Sequence, residues 1–306
     1  MDLKVPEGKY LVGVSGGVDS MVLLDILTKQ AKSQKLKAKS FKPSASSFQL
    51  VVAHFNHGIR PDSGKDEEFV RQTAEKYELP FEVGHGKLGP DASEEQARKA
   101  RYRFLNKIKQ KYKAGGIVTA HHQDDLIETA FLNILRGTGR RGLTAIGENP
   151  DIIRPLLHLS KKDILAHAKA HKLKWREDPT NRDEKYLRNF IRLKIVPRLS
   201  ETQRRQFLQG IRELRVKNRL INQEVENLSQ KIVKGKAIER SGFIALPAEI
   251  AREVLMHFLR QNNIRNFDKK TVERLMVAIK TAKAGTTHDV IREVNLEITR
   301  SSALLE

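Results

Sequence analysis

Apolar positions in the first half of the chain switch repeatedly between two periods. YLVGV (10–14) is a short continuous apolar run and reads as a buried strand. Met21-Val22-Leu23-Leu24 then opens a helical pattern through DSMVLLDILTKQAK (19–32). QLVVAHFNH (49–57), FEVGHG (81–86) and GIVTAHH (116–122) give three more strands, and IIRPLL (152–157) a fifth. Between them lie helical patterns at 64–79, 94–112, 124–136 and 160–173. Asp62 or Ser63 can cap the first of these. Ser93 with Gln96 forms a capping box for the second, and Ser160 opens the last. KSQKLKAKSFKPSASS (32–47) has no apolar period and is expected as a surface loop or disordered insertion.

Strand and helix in alternation imply an α/β fold: a doubly wound parallel sheet with helices on both faces. In such sheets ligands sit beyond the carboxyl ends of the strands. The SGGVDS turn (15–20), HFNH (54–57) and TAHHQDD (119–125) all fall at those ends, so three polar clusters are expected on one edge.

After about residue 199 the pattern changes. Leu208, Ile211, Leu214, Leu220, Ile221, Val225, Leu228 and Ile232 fit one long amphipathic helix with a basic outer face. Two shorter helices are expected at 247–262 and 268–282, then one or two strands in HDVIREVNLEITR (288–300). Residues 1–199 are therefore read as a catalytic domain and 200–306 as a smaller, mostly helical domain that binds RNA or substrate.

Composition narrows the chemistry. A net charge of +20, from 57 Lys+Arg against 37 Asp+Glu, favours a polyanionic partner over a merely solvated surface. With no cysteine, disulfides, Cys-ligated zinc, iron–sulfur clusters and thiol nucleophiles are excluded. No apolar run approaches the ~20 residues of a membrane span. MDLKVPEGKY also lacks a leader's apolar stretch, so a cytoplasmic protein is expected.

A glycine pair after a strand and before a helix turns backbone N–H groups into one concavity at the positive end of the helix, which makes an anion site. Ser15 and Ser20 add hydroxyls. Asp19 fits an anion site only if a divalent cation shares it, as Mg²⁺ would with a nucleoside triphosphate. The alternative is a tight turn with a capping side chain. GxxxxGKS/T occurs nowhere, so γ-phosphate chemistry of that type has no support.

SGGVDS resembles the PP-loop of the ATP pyrophosphatases, the adenine nucleotide alpha hydrolase-like fold. VAHFNHGIRPDS, AHHQDDLIETAFLNILRGTGRRGL, RPLL and WREDPTNRDEKYLRNFIRLKIVPRL follow in order, a succession similar to the tRNA(Ile)-lysidine synthetase family over residues 9–199. The resemblance implies ATP and Mg²⁺ as cofactors. It further implies L-lysine and an isoleucine tRNA with a CAU anticodon as substrates, no membrane, and leaves a homodimer open. Lysine would be joined to C2 of the wobble cytidine through an adenylated cytidine, releasing pyrophosphate and AMP.

Residue by residue, Ser15, Gly16, Gly17, Val18, Asp19 and Ser20 would hold the nucleotide, with Ala53 and His54 beside them. Hydrogen bonding of His54 to the chain is the alternative. Asp19 and Asp124 would hold Mg²⁺, and Asp125 and Glu128, three residues apart on one helical face, the lysine. Acids at a helix N-terminus are also ordinary dipole stabilisers. The family's usual pattern has Gln where this chain has Leu126. Arg136, Arg140 and Arg141 in RGTGRRG would meet phosphate, Arg136 with a catalytic part, and Arg188, Asn189 and Arg192 would face the same cleft.

GHGKLG (84–89) lacks a helix on the motif and is rejected as a dinucleotide fingerprint. His167 and His171 are expected on a helix surface and Trp175 in the core. Two rivals are kept: another PP-loop tRNA-modifying enzyme, or an RNA-binding module with a vestigial nucleotide site.

Overall fold

The computed structural model describes residues 3–40, 48–58, 62–86, 89, 93–146, 149 and 151–306. They form two compact units, residues 1–212 and 213–306.

In the first unit, β1 (Lys9–Gly13), β2 (Gln49–Asn56), β3 (Phe81–His85), β4 (Gly116–Val118) and β5 (Ile152–Ile153) form a parallel sheet in the order β3-β2-β1-β4-β5. Strand order reverses between β1 and β4, and the crevice at such a switch point is where open α/β sheets bind ligands. The helices are α1 (Val18–Ser40), α2 (Ser63–Lys76), α3 (Glu94–Tyr112), α4 (Gln123–Leu135), α5 (Arg140–Leu143), α6 (Lys161–Ala170) and α7 (Leu187–Phe190).

Alternation along β1 divides the core. Tyr10 and Val12 join Val52 and Val118 against α1, α2 and α6. Leu11, Val51, Ala53 and Ile117 pack on Leu105 and Ile108 of α3. Both faces are covered, which explains why these strands read as unbroken apolar runs. A third cluster joins Leu126, Ile127 and Ala130 of α4 to Ile191 and Val196, and to Leu208 and Ile211 in the first turns of α8 (Glu201–Ile232). Those two side chains carry the first unit beyond residue 199, where composition changes, to residue 212.

The capping boxes at Ser93 and Ser160 are present. Asp62 is the N-cap residue of α2 without a side-chain cap bond. One expectation is corrected: residues 32–40 are helix, because α1 runs to Ser40. Lys, Gln and Ala are good helix formers, and no Pro or Gly interrupts before Pro43. The rest of that stretch, 41–47, lies outside the described residues.

Gly84 is a packing glycine. A Cβ there would fall 2.5 Å from the ring of Phe104 on α3. Gly84→Ala should therefore cost about 1–3 kcal/mol, seen as a lower Tm with unchanged secondary structure by circular dichroism. An unaltered Tm would show that the ring has room to move.

In the second unit, β6 (Val233–Lys234), β7 (Ala237–Glu239), β8 (Thr286–Ile291), β9 (Val294–Ile298) and β10 (Ser302–Leu305) form an antiparallel sheet in the order β6-β7-β10-β9-β8. With it pack α9 (Arg240–Ile244), α10 (Ala248–Gln261) and α11 (Lys269–Thr281), around Phe243, Phe258, Leu275 and Ile279. HDVIREVNLEITR thus falls in two strands, β8 and β9, as its alternation suggests, and β10 follows it. Among the described residues no helix is long and apolar enough to cross a membrane.

Candidate active site

The turn after β1 lies at the switch point. Gly16 has φ +91°, a backbone setting that favours glycine. The loop is held from within and from behind. Ser20 Oγ donates to Gly17 O at 2.8 Å, Ser15 N donates to Ser20 Oγ at 3.2 Å, and Arg176 N donates to Gly16 O at 3.0 Å. The Arg176 guanidinium is paired with Asp66 of α2, which anchors the contact. The loop faces a cavity of about 340 Å³ whose wall includes Ser15, Asp19, Ser20, Ala53 and His54. Val18 is buried, so it offers its backbone alone.

His54 Nδ1 lies 2.9 Å from Val14 O, and with that carbonyl as acceptor Nδ1 is the donor. Burial holds His54 below the usual histidine range. The chain-bonding alternative is thus realised at one nitrogen, while the residue still lines the cavity. His57 is held at about 4, by burial first and then by Arg101 and His54. Its Nδ1 is buried with no hydrogen-bond partner among the described residues, which suits a polar group entering the cavity. Arg101 of α3 lines the same wall. It contacts the Tyr102 ring and makes no ion pair with a described carboxylate. Asp178 and Thr180, tied by two bonds of 2.9 and 2.7 Å, close the rim.

Asp19 is the charged group of the loop. Lys161 Nζ donates to its Oδ1 at 2.6 Å, and His122 Nε2 lies 3.6 Å away. Burial alone would raise its pKa, but His122 and Lys161 together bring it down to about 2. His122 is also the N-cap of α4. Its Nδ1 accepts from Asp124 N at 3.2 Å, and its N–H donates to Asp125 Oδ2 at 2.9 Å. His122 Nε2 stands 3.6 Å from both Asp19 and Asp125, so one imidazole joins the loop to the acids of α4. Burial opposes protonation of His122, yet the two carboxylates raise its pKa.

The three acids of α4 have different company. Asp124 is paired with Arg204 at 2.9 Å and lines a neighbouring cleft rather than the loop's cavity. Asp125 caps the helix, with Arg192 3.7 Å from its other oxygen. Glu128 is 1 % exposed. It accepts two bonds of 2.7 Å from Arg192 and one of 3.3 Å from Arg188. Leu126 packs in the apolar cluster with Ile127 and does not line the cavity.

The remaining candidate residues are placed as follows. Arg188 and Arg192 reach the site, where both are counter-ions of Glu128. The Asn189 amide donates to Thr180 O and Asp183 O at 2.8 and 2.9 Å and shapes the 178–183 turn. Arg136 is the exposed C-cap residue of α4. The helix runs away from the edge, so Arg136 stands about 18 Å along its axis from Asp124. Arg140 and Arg141 sit half-buried in α5.

His167 departs from expectation: its Nε2 donates to Asp25 Oδ2 at 3.1 Å and it is nearly buried, while His171 is exposed as expected. Trp175 is half-buried at the core's margin. Arg101, Lys161 and Arg176 were missed. Arg101 lies in a basic helix where the facing arginine is indistinguishable from solvated ones, and Lys161 meets Asp19 from 142 residues away.

A family model described as the PP-loop domain matches residues 2–199. The tRNA(Ile)-lysidine synthase of Thermosipho africanus is 34% identical over 282 residues, covering 87% of this chain and 61% of that protein. Its namesake in Nitrosomonas europaea is 30% identical over 285 residues, covering 89% and 59%. The present chain thus spans about three-fifths of the length of these curated relatives. Among solved structures, a U34-tRNA thiolase from Methanococcus maripaludis superposes with a TM-score of 0.55 at 19% identity, over 69% of this chain and 73% of that one, a likeness of fold alone. The matched span begins ahead of β1, contains the SGGVDS loop and the whole parallel sheet, and implies the use of ATP; the chain belongs to the PP-loop domain family.

Proposed function

We propose that the protein uses ATP to join L-lysine to C2 of the wobble cytidine of an isoleucine tRNA with a CAU anticodon, releasing pyrophosphate and AMP. One observation carries this reading: the His122 imidazole stands 3.6 Å from both Asp19 and Asp125, so a phosphate loop and a carboxylate set adjoin each other. A nucleotide on one side and a cationic amino acid on the other suit that pair. The relatives that share most of this chain's length bear the corresponding name.

Loop amides and the Ser15 hydroxyl would donate to phosphate oxygens, and Ser15 N and Ser20 Oγ would do so on exchanging their bonds within the loop for the nucleotide. The residues present fit a magnesium ion. Asp19 is an ionised carboxylate on the cavity wall that already binds a cation, the Lys161 ammonium. When bound, the metal would neutralise charge on the departing pyrophosphate, its other ligands coming from phosphate and water. Asp124 is committed to Arg204, which makes Asp19 the stronger candidate. Arg101, with no described carboxylate partner, is available to the charge that develops at the α-phosphate.

The lysine ε-ammonium must shed a proton before its nitrogen attacks C2. Both oxygens of Glu128 are taken by guanidiniums, so Asp125 is the better acceptor. Positive charge suited to RNA lies chiefly in residues 1–212, which hold 40 basic against 25 acidic side chains. Incubation with ATP, L-lysine and the CAU-anticodon tRNA, followed by mass spectrometry of the digested nucleosides, tests the reading. A cytidine heavier by lysine less water is expected, and an unmodified or thiolated nucleoside would refute it.

A further inference from the structure

A second cavity of about 570 Å³ lies beside the first, within the same unit. Lys161 forms part of its wall while its ammonium is bound to Asp19, which lines the nucleotide cavity. The Asp19–Lys161 pair is thus the partition between the two. Lys162, Lys169 and Arg204 also line the second cavity.

The charges facing it do not balance. Arg204 is matched by Asp124 at 2.9 Å and Lys161 by Asp19 at 2.6 Å. Glu201 is on the wall. Asp163, which follows Lys162 in α6, is engaged by Ser160 N and Oγ at 2.9 and 2.7 Å. Lys162 and Lys169 make no ion pair with any described residue, and at i and i+7 they share one face of α6. A lysine ammonium is a compact point charge suited to phosphate.

We propose that this cleft is a phosphate-binding subsite, joined to the nucleotide cavity through the Asp19–Lys161 pair. The phosphate comes either from inorganic pyrophosphate, the product in the proposed reaction, or from an RNA backbone. Only the first of these sources rests on that reaction.

The test uses the full chain and a Lys162→Glu/Lys169→Glu variant, neither lysine touching Asp19. With the nucleotide cavity saturated by Mg²⁺ and α,β-methylene ATP, pyrophosphate and a short single-stranded RNA are titrated separately by calorimetry. About tenfold weaker pyrophosphate binding in the variant, with analogue affinity unchanged, supports the subsite and assigns it to the product. Weaker RNA binding, with a salt dependence reduced by about two phosphate contacts, supports it and assigns the backbone. Unchanged affinity for both ligands overturns the proposal, as does a parallel loss of analogue affinity. Neither titration contains lysine or tRNA(Ile), so failure here leaves the ligase reading standing, and absent lysidine formation leaves this result standing.

Discussion

Asp19→Asn should reduce pyrophosphate release from ATP by about 10²–10³-fold or more, while tRNA retention in a gel-shift stays as in the parent protein. Asn keeps the shape of Asp19 and still accepts from the Lys161 ammonium, which now sits at 2.6 Å. What disappears is the negative charge, and with it the attraction for a metal-bound triphosphate. That charge persists in the folded protein down to about pH 2, against an ordinary value of 3.8. The sign follows from linkage. A depressed carboxylate pKa contributes stability above the unfolded value, and the contribution is lost as pH falls through the folded one. Thermal melts of the two proteins should therefore differ most above pH 4 and converge towards pH 2. Retention of a tenth or more of the parent's turnover would mean that Asp19 only closes the turn.

Glu128→Ala should lower the Tm by something on the order of 10 °C. Glu128 is 1 % exposed, and its carboxylate receives both Arg192 and Arg188. Removing it leaves two guanidiniums, 35% and 21% exposed, without their shared anion. Breaking a buried pair from one side costs about 3–5 kcal/mol. The lower end applies here, because both arginines can turn towards water. At roughly 2–4 °C per kcal/mol for a unit of this size, the shift is easily measured. Glu128→Gln, which keeps the volume and one acceptor oxygen, should recover part of it. If Glu128 also met the substrate ammonium, both variants would raise the Michaelis constant for lysine more than that for ATP. A Tm within about 2 °C of the parent would contradict the counter-ion role.

Local periodicity carried much of the fold. The unbroken apolar runs of β1, β2 and β4 report a sheet covered on both faces, and Ser93 and Ser160 mark helix starts by side-chain chemistry alone. Elements without a period were harder to read. The two- and three-residue strands β6 and β7 are too short to alternate; they pair with each other across a tight turn, and β7 joins the sheet only through β10 near the far end of the chain. The continuation of α1 beyond Lys32 is carried by helix propensity, which lysine-rich composition masks.

The same division holds in the site. Ser15–Ser20, His54 and the acids of α4 are visible as motifs at strand ends. Which cation meets which acid is not visible, since Lys161 finds Asp19, and Arg192 finds Glu128, only through tertiary folding. Hence the pairing of Arg188 and Arg192 with Glu128, and of Lys161 with Asp19, lies beyond what the motifs show.

In the proposed reaction the loop after β1 directs attack at the α-phosphorus of ATP, and product analysis with ATP radiolabelled separately at the α and γ positions, in the presence of L-lysine and the CAU-anticodon tRNA, reads the position of cleavage. The α label should appear in AMP and the γ label in pyrophosphate, each requiring both the amino acid and the RNA for full turnover. Appearance of ADP and free phosphate would contradict the claim.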